Sequence, residues 1–167
     1  MQDKNRFIKI NFEKADDQIK LNKNKVIHIL FYTEKNILLS EGMEQYIDLL
    51  NFLNSFLNDN LSNNVIVRSE KGTFLLVKRK FENTKLQDDY LEQLGGRIYN
   101  SIKSIGCKEA IIYENDKKIN QRIALGILLS SYKFSNYKKI KPSEENNLNS
   151  ITFKYFIVPK KQAETFL

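Results

Sequence analysis

The sequence predicts an α/β domain of three layers, in which a mixed β-sheet is flanked by helices. Two observations support this prediction. Short apolar runs typical of strands alternate along the chain with longer segments whose apolar residues recur at helical spacing. The 167 residues, of which 41% are hydrophobic and 28% charged, suit one compact domain. No stretch approaches the roughly 20 continuous apolar residues of a membrane span.

Six segments carry strand signals. RFIKINF (residues 6–12) alternates apolar and polar residues, as in a half-buried strand, and the apolar run VIHILFY (residues 26–32) indicates a strand covered on both faces. VIVRS (residues 65–69) and TFLLVKR (residues 73–79) predict two strands joined by a tight turn in which Gly72 has a positive φ. The remaining strands are KEAIIYE (residues 108–114) and ITFKYFIV (residues 151–158).

Three helices are predicted between these strands. The first has Ser40 as its N-cap, and the second begins with a capping box from Thr84 to Gln87. Gly106 stands where a glycine commonly ends a helix, and the third helix covers residues 120–137. The first helix carries an apolar stripe made of Met43, Tyr46, Ile47, Leu50, Leu53 and Leu57.

Two consecutive glycines, Gly95 and Gly96, lie in the middle of the second predicted helix. Each costs roughly 1 kcal/mol relative to alanine at such a position. Because the helix forms in spite of this cost, we expect another element to approach it closely here.

The formal net charge of +7 comes mostly from lysine. A basic balance of this size is found in proteins that bind nucleic acid or anionic membranes. The positive residues are scattered over every segment, however, and a compositional bias towards Lys, Asn and Ile explains them more simply. Both interpretations stay open, and the bias is favoured.

Few residues could carry chemistry. His28 is the sole histidine and lies inside a strand pattern, so we expect a structural role in which both ring nitrogens have hydrogen-bond partners. Cys107 is the sole cysteine, which excludes an internal disulfide and favours a reducing compartment, here the cytoplasm. One histidine and one cysteine cannot form the usual zinc sites. The adjacent carboxylates at residues 16–17, 88–89 and 144–145 fit solvated surface or the start of a helix.

No glycine-rich phosphate loop, nucleophile elbow or Ser/His/Asp set is visible in the sequence. The sequence therefore predicts no catalytic, cofactor-binding or metal-ligating residue. On its own residues, the chain is not expected to be an enzyme.

Two stretches nevertheless resemble a known family. LLVKRKFENTKLQDDYLEQLGGRIYNSIKSIGCKEAIIYEN and the later ALGILLSSYKFSNYKK are similar to the N-terminal domain of the cytosol (leucyl) aminopeptidases, peptidase family M17. Residues 94–96, Leu-Gly-Gly, match one signature of that domain. The second and more specific signature is matched by Gly126, Leu129, Tyr132, Phe134, Tyr137 and Lys138.

The resemblance covers residues 73–139 and implies a macro-domain-like α/β fold. It implies that Gly126 lets the third helix approach the sheet, and that the aromatic residues after it pack the last helical turn. Two departures from the family are visible. Residues 79–81, Arg-Lys-Phe, stand where the family has a Gly-x-Gly turn, which counts against binding of a nucleotide or ADP-ribose. The catalytic motif Asn-Thr-Asp-Ala-Glu-Gly-Arg is missing from the sequence.

The resemblance thus implies that residues 1–159 form an M17 N-terminal, macro-like domain. Residues 160–167 would begin a truncated linker to an absent catalytic domain. Two divalent metals, such as Zn or Mn, are expected only in that absent domain, with none in this chain. The expected partner is the chain's own C-terminal catalytic domain in a full-length homo-hexamer, with no membrane.

The function that follows is a non-catalytic one in regulation or assembly of an aminopeptidase. The parent activity would be metal-dependent release of N-terminal amino acids from peptides. An alternative is a DNA-binding accessory module that uses the basic surface. A nucleotide-binding role, by analogy with macro domains, is a third hypothesis.

Overall fold

A computed structural model describes residues 8–14, 26–33, 36–37, 46–57, 64–70, 72–79, 87–137, 148 and 150–155. These residues form seven strands and three helices. The strands are β1 (Lys9–Lys14), β2 (Val26–Thr33), β3 (Asn36–Ile37), β4 (Asn64–Ser69), β5 (Gly72–Lys78), β6 (Glu109–Tyr113) and β7 (Ser150–Tyr155). The helices are α1 (Ile47–Asn54), α2 (Gln87–Ile105) and α3 (Lys117–Tyr137).

The strands form one mixed sheet in the order β1-β7-β6-β2-β5-β4, with β3 paired to β2. All neighbours from β1 to β5 are parallel, whereas β4 pairs antiparallel with β5 and β3 antiparallel with β2. The nearly continuous apolar sequence of β2 fits its central place, because a strand covered on both faces needs apolar residues on both.

Helices cover both faces of the sheet, so the predicted three-layer α/β fold is confirmed. On one face, Leu50 and Leu53 of α1 pack against Leu30, Phe74 and Leu76 of the sheet. The opposite face carries a larger apolar core, to which both α2 and α3 contribute. That core includes Ile27, Ile29, Leu75, Ile112, Ile151 and Phe153 from the strands and Leu94, Ile98, Ile123 and Ile127 from the helices.

The close approach predicted for α2 is present, and the element that approaches is α3. A Cβ added at Gly95 would lie 3.1 Å from the carbonyl carbon of Ile123 and nearer still to its oxygen. Gly126 of α3 faces α2 in the same way: its added Cβ would lie 2.7 Å from the carbonyl carbon of Glu92. The prediction that Gly126 lets α3 approach the sheet is therefore wrong, because the backbone it meets belongs to α2.

The two predicted glycine turns are confirmed. Gly72 has a φ of 132° at the turn between β4 and β5, and Gly106 has a φ of 82° directly after α2. The N–H of Gly106 donates to the carbonyl oxygen of Ile102 at 3.1 Å, as expected of the residue that ends a helix. Both turns need the left-handed region that glycine enters without steric cost.

Some boundaries differ from the prediction. α3 begins three residues before residue 120, since Asp116 caps it: its Oδ1 accepts from the N–H groups of Lys118 at 2.8 Å and Ile119 at 3.2 Å. The predicted apolar stripe of α1 is wrong at Ile47, which is 45% exposed. The predicted helix starts at residues 40 and 84 lie outside the described residues, as do residues 156–167.

Among the described residues, no helix combines the length and apolar character that crossing a membrane requires.

Candidate functional site at the carboxyl ends of the parallel strands

The parallel strands β5, β2 and β6 end at the same edge of the sheet. The helix that follows β2 and β3 in the chain, α1, lies on one face of the sheet, and the helix that follows β6, α3, lies on the other. In open α/β sheets, ligands bind in the crevice outside the strand ends where the connections diverge in this way. A ligand-binding site is therefore expected at the carboxyl ends of β2 and β6.

A buried ion pair spans this place. Arg79 directly follows β5, and its N–H donates to the carbonyl oxygen of Tyr32 in β2 at 2.9 Å. Glu114 directly follows β6, and its N–H donates to the carbonyl oxygen of Lys154 in β7 at 3.1 Å. The Arg79 guanidinium donates to Glu114 Oε1, and it lies 5.0 Å from the ring centre of Phe31 in β2. The pair thus crosses the carboxyl end of β2.

The geometry of the ion pair indicates a structural role. The second carboxylate oxygen of Glu114 accepts from the N–H of Asp116 at 3.1 Å, so both oxygens have partners. Both side chains are almost fully buried. A carboxylate held in this way is not free to take a proton from a substrate, and it anchors the turn that leads into α3.

A cavity of about 360 Å³ lies beside this turn, between β1 and the start of α3. Its described lining residues are Phe12, Asn115, Lys117, Asn120 and Gln121. The ring of Phe12 stacks on that of Phe153, with centres 5.2 Å apart and planes at 15°. The volume falls within the range of about 300–1,000 Å³ that is typical of small-molecule sites.

Asn120 stands out in the lining. It is only 3% exposed, and its Nδ2 donates to the carbonyl oxygen of Glu114 at 2.9 Å. Its Oδ1 is buried and has no hydrogen-bond partner among the described residues. An unsatisfied buried acceptor costs about 1–3 kcal/mol, so its presence calls for an explanation.

His28 lies on the other face of the sheet, in the middle of β2. Its Nδ1 is 2.8 Å from the Tyr113 hydroxyl, and its ring packs between those of Phe74 and Tyr113, at 5.5 and 5.8 Å. Burial, assisted by the charge of Lys154, lowers the pKa of His28 to about 4. Burial also raises the pKa of Tyr113, and nearby Tyr46 adds to this. Both groups are neutral near pH 7, which supports the predicted structural role of His28. The expectation that both ring nitrogens have partners is wrong, because the buried Nε2 has none among the described residues.

The remaining sequence candidates do not come together into a site. Cys107 is a half-buried free thiol whose pKa is raised by burial. Asp88 forms a salt bridge with Arg122 at 3.2 Å. No cluster of potential metal ligands occurs in the described part of the chain. The acidic pairs at 16–17 and 144–145 lie outside that part.

The aromatic end of α3 differs from the expectation. Tyr132 was expected to pack the last turn, but it is 51% exposed. Leu129, another position of the family signature, is exposed as well. The side chains of Phe134, Tyr137 and Lys138 lie outside the described residues.

Sequence reasoning missed Glu114, Asp116 and Asn120. A usable signal was present, since Arg79 and Glu114 are the last residues of two predicted strands. Residues in that position of parallel strands share one edge of the sheet. The order of the strands, which the apolar pattern does not contain, was needed to place the two side chains together.

Comparison with known proteins gives a likeness of fold. No protein-family model matches this sequence, and no curated protein matches it either. Among solved structures, the chain is similar to a mutant of a tomato leucine aminopeptidase, with a TM-score of 0.58 and 17% sequence identity. The match covers 88% of this chain and 32% of that chain. The chain thus spans about a third of the length of that aminopeptidase.

Proposed function

We propose that this chain is a non-catalytic domain of the leucine aminopeptidase type, with a role in regulation or assembly of a larger peptidase. The observation that carries the proposal is the fold match, which covers most of this chain but only 32% of the tomato leucine aminopeptidase. The sequence resemblance over residues 73–139 points to the same class of enzyme.

The chemistry of the described residues supports the non-catalytic part of the proposal. Removal of N-terminal residues by a metallopeptidase needs bound metal ions that activate a water and polarise the scissile carbonyl. The buried carboxylate of Glu114 is held by Arg79 and by a backbone N–H instead. His28, the sole histidine, is enclosed between two aromatic rings of the sheet.

The proposal that this chain is non-catalytic is tested with the full chain and leucine p-nitroanilide, in the presence of Mn²⁺ or Zn²⁺. We expect no release of nitroaniline above the rate without protein, while a complete leucine aminopeptidase assayed in parallel turns the substrate over. Hydrolysis by this chain that a chelator abolishes would overturn the proposal.

The regulatory or assembly role is tested in the source cells by native size-exclusion chromatography. We expect antibodies against this chain to detect it in the fractions that hydrolyse leucine p-nitroanilide, either as part of a longer polypeptide or as a bound subunit. Elution of all the detected chain apart from that activity would contradict the proposed role.

A further inference from the structure

The outward side of α3 is apolar over two helical turns. Leu125, Leu128, Leu129 and Tyr132 recur at the i, i+3, i+4 and i+7 spacing that places residues on one side of a helix. Their exposed fractions lie between 38% and 51%, and none of the four belongs to either apolar core of the described residues. These four residues are called the outer seam below.

The other sides of the same two turns are already buried. Ile123 and Ile127 lie in the apolar core, and Gly126 faces the backbone of α2. A helix at the surface ordinarily carries polar or charged residues on the side away from the core, whereas a helix that is apolar all round is covered all round. The outer seam therefore indicates a surface on which another molecule docks.

The size of the outer seam fits one helix. Its partly exposed side chains present on the order of 300 Å² together. A stable pair of globular chains needs about 800 Å² from each partner, which is well above that area. An amphipathic helix, by contrast, is held by a few apolar anchors at i, i+3, i+4 and i+7 spacing, which is the spacing of the seam.

One end of the outer seam is positively charged. α3 contains no Asp or Glu. Lys117 and Lys118 are exposed in its first turn, and Lys118 is two turns before Leu125 on the same side of the helix. The nearby carboxylate of Asp116 is directed to backbone N–H groups of the first turn. Acidic residues of a partner would thus be attracted to this end of the seam.

The flank that α3 shares with α2 counts against a membrane as the occupant. Arg122 lies there at 3.2 Å from both Asp88 and Glu92, and Asp89 is exposed beside them. These carboxylates outnumber the one cation, so the negative surface of a lipid leaflet would be repelled. A helix can place acidic residues against the lysines and neutral residues against this flank, which a uniformly charged surface cannot do.

We propose that the outer seam binds one amphipathic helix of another protein. The apolar side of that helix packs on the three leucines and Tyr132, and its acidic residues meet Lys117 and Lys118. This contact forms whether or not the chain acts within a peptidase.

Two designed peptides serve as probes. Both are helices of about five turns, held by a hydrocarbon staple, with leucines at i, i+3, i+4 and i+7 spacing on the side away from the staple. The acidic probe has Glu at its polar positions, and the basic probe has Lys at the same positions. Binding to the full chain is followed by ¹⁵N–¹H NMR. We expect the acidic probe to shift the backbone amides of residues 125–132 most, and the basic probe to bind about fivefold more weakly.

Leu129→Lys should weaken binding of the acidic probe by about tenfold or more, because it places a charge in the apolar contact. Leucine and lysine have similar helix propensities, so the variant should melt as the parent does. Ile47→Lys is the matched control: Ile47 is 45% exposed, as Leu129 is, and lies in α1 on the opposite face of the sheet. Binding should be unchanged in this control.

The charge reversal Lys117→Glu/Lys118→Glu should make the basic probe bind more tightly than the acidic one. No binding of the acidic probe up to about 1 mM, equal binding by Leu129→Lys, or an unchanged preference in the charge-reversal variant would overturn the proposal. So would either of two results that Leu129→Lys abolishes. These are dimer formation in sedimentation velocity, which assigns the seam to a second copy, and cosedimentation with phosphatidylserine–phosphatidylcholine vesicles, which assigns it to a membrane.

Discussion

The contact between α2 and α3 allows a sharp test, because three glycines meet the opposite helix in different ways. Gly126 faces the backbone of Glu92, and a Cβ there would lie 2.7 Å from the carbonyl carbon. Carbon atoms in good contact are about 3.5–4.0 Å apart, so Gly126→Ala forces the two helices to separate by about 1 Å. The backbone of Glu92 cannot relieve this clash by a side-chain rotation, as a flexible side chain at the same place could.

The expected loss of stability follows from two opposing effects. Overpacking of a well-packed core costs typically 1–3 kcal/mol and occasionally more, and a clash with backbone belongs at the upper end. Replacing glycine by alanine within a helix returns about 1 kcal/mol. We therefore expect Gly126→Ala to lower the free energy of unfolding by about 2 kcal/mol. For a chain of this length, that corresponds to a fall in Tm of about 4–8 °C.

Gly96→Ala is the matched control on the same contact. Its added Cβ would lie 2.7 Å from Oγ of Ser130, and the serine side chain can rotate away. The helix propensity gained should then equal or exceed the small steric cost, so this variant should match the parent or be up to about 1 kcal/mol more stable. The assay is urea unfolding followed by circular dichroism at 222 nm. If Gly126→Ala proves as stable as Gly96→Ala, the assigned backbone contact is refuted.

Two further predictions concern buried polar groups, and both are measured as the urea midpoint of unfolding. Arg79→Met leaves the Glu114 carboxylate buried without its guanidinium, so we expect the free energy of unfolding to fall by about 3–5 kcal/mol. The double variant Arg79→Met/Glu114→Met should recover a part of this loss. A single variant as stable as the parent would contradict the burial of the pair. The pKa of His28 is about 4 in the folded chain and 6.5 in the unfolded chain. Between these pH values the unfolded chain binds more protons than the folded chain. The stability present above pH 6.5 is therefore lost as the pH falls towards 4. Between pH 6.5 and 5 this loss should reach about 1.5 kcal/mol, and His28→Gln should show it no longer. An unchanged slope in that variant would assign the titration to another group.

Much of the fold was predictable from short stretches of sequence, because the features concerned are local. The period of apolar residues depends on backbone geometry within a few residues, so the segments around β2, β5, α2 and α3 were identified correctly. A positive φ at Gly72 and Gly106 follows from the same local chemistry. The pair at Gly95 and Gly96 also predicted that some other element approaches α2 closely, since glycines inside a helix carry a cost that close packing can offset.

The partners in these contacts were decided by tertiary structure. Gly126 was expected to face the sheet, but it faces α2. The direction in which it points is set by the rotation of α3 about its own axis, which depends on how α3 packs against both the sheet and α2. The earlier start of α3 has a local cause instead, because Oδ1 of Asp116 accepts from the N–H groups of Lys118 and Ile119.

By itself, the sequence determined the class of fold, the segments that build it and the tight turns, since these depend on neighbours along the chain. Only the tertiary structure placed Arg79 against Glu114, 35 residues away, and His28 against Tyr113, 85 residues away. It also put Phe12 and Asn120 on the walls of one cavity. Such contacts depend on which strands become neighbours, and strand order is set by the packing of whole layers, which no local pattern of residues records.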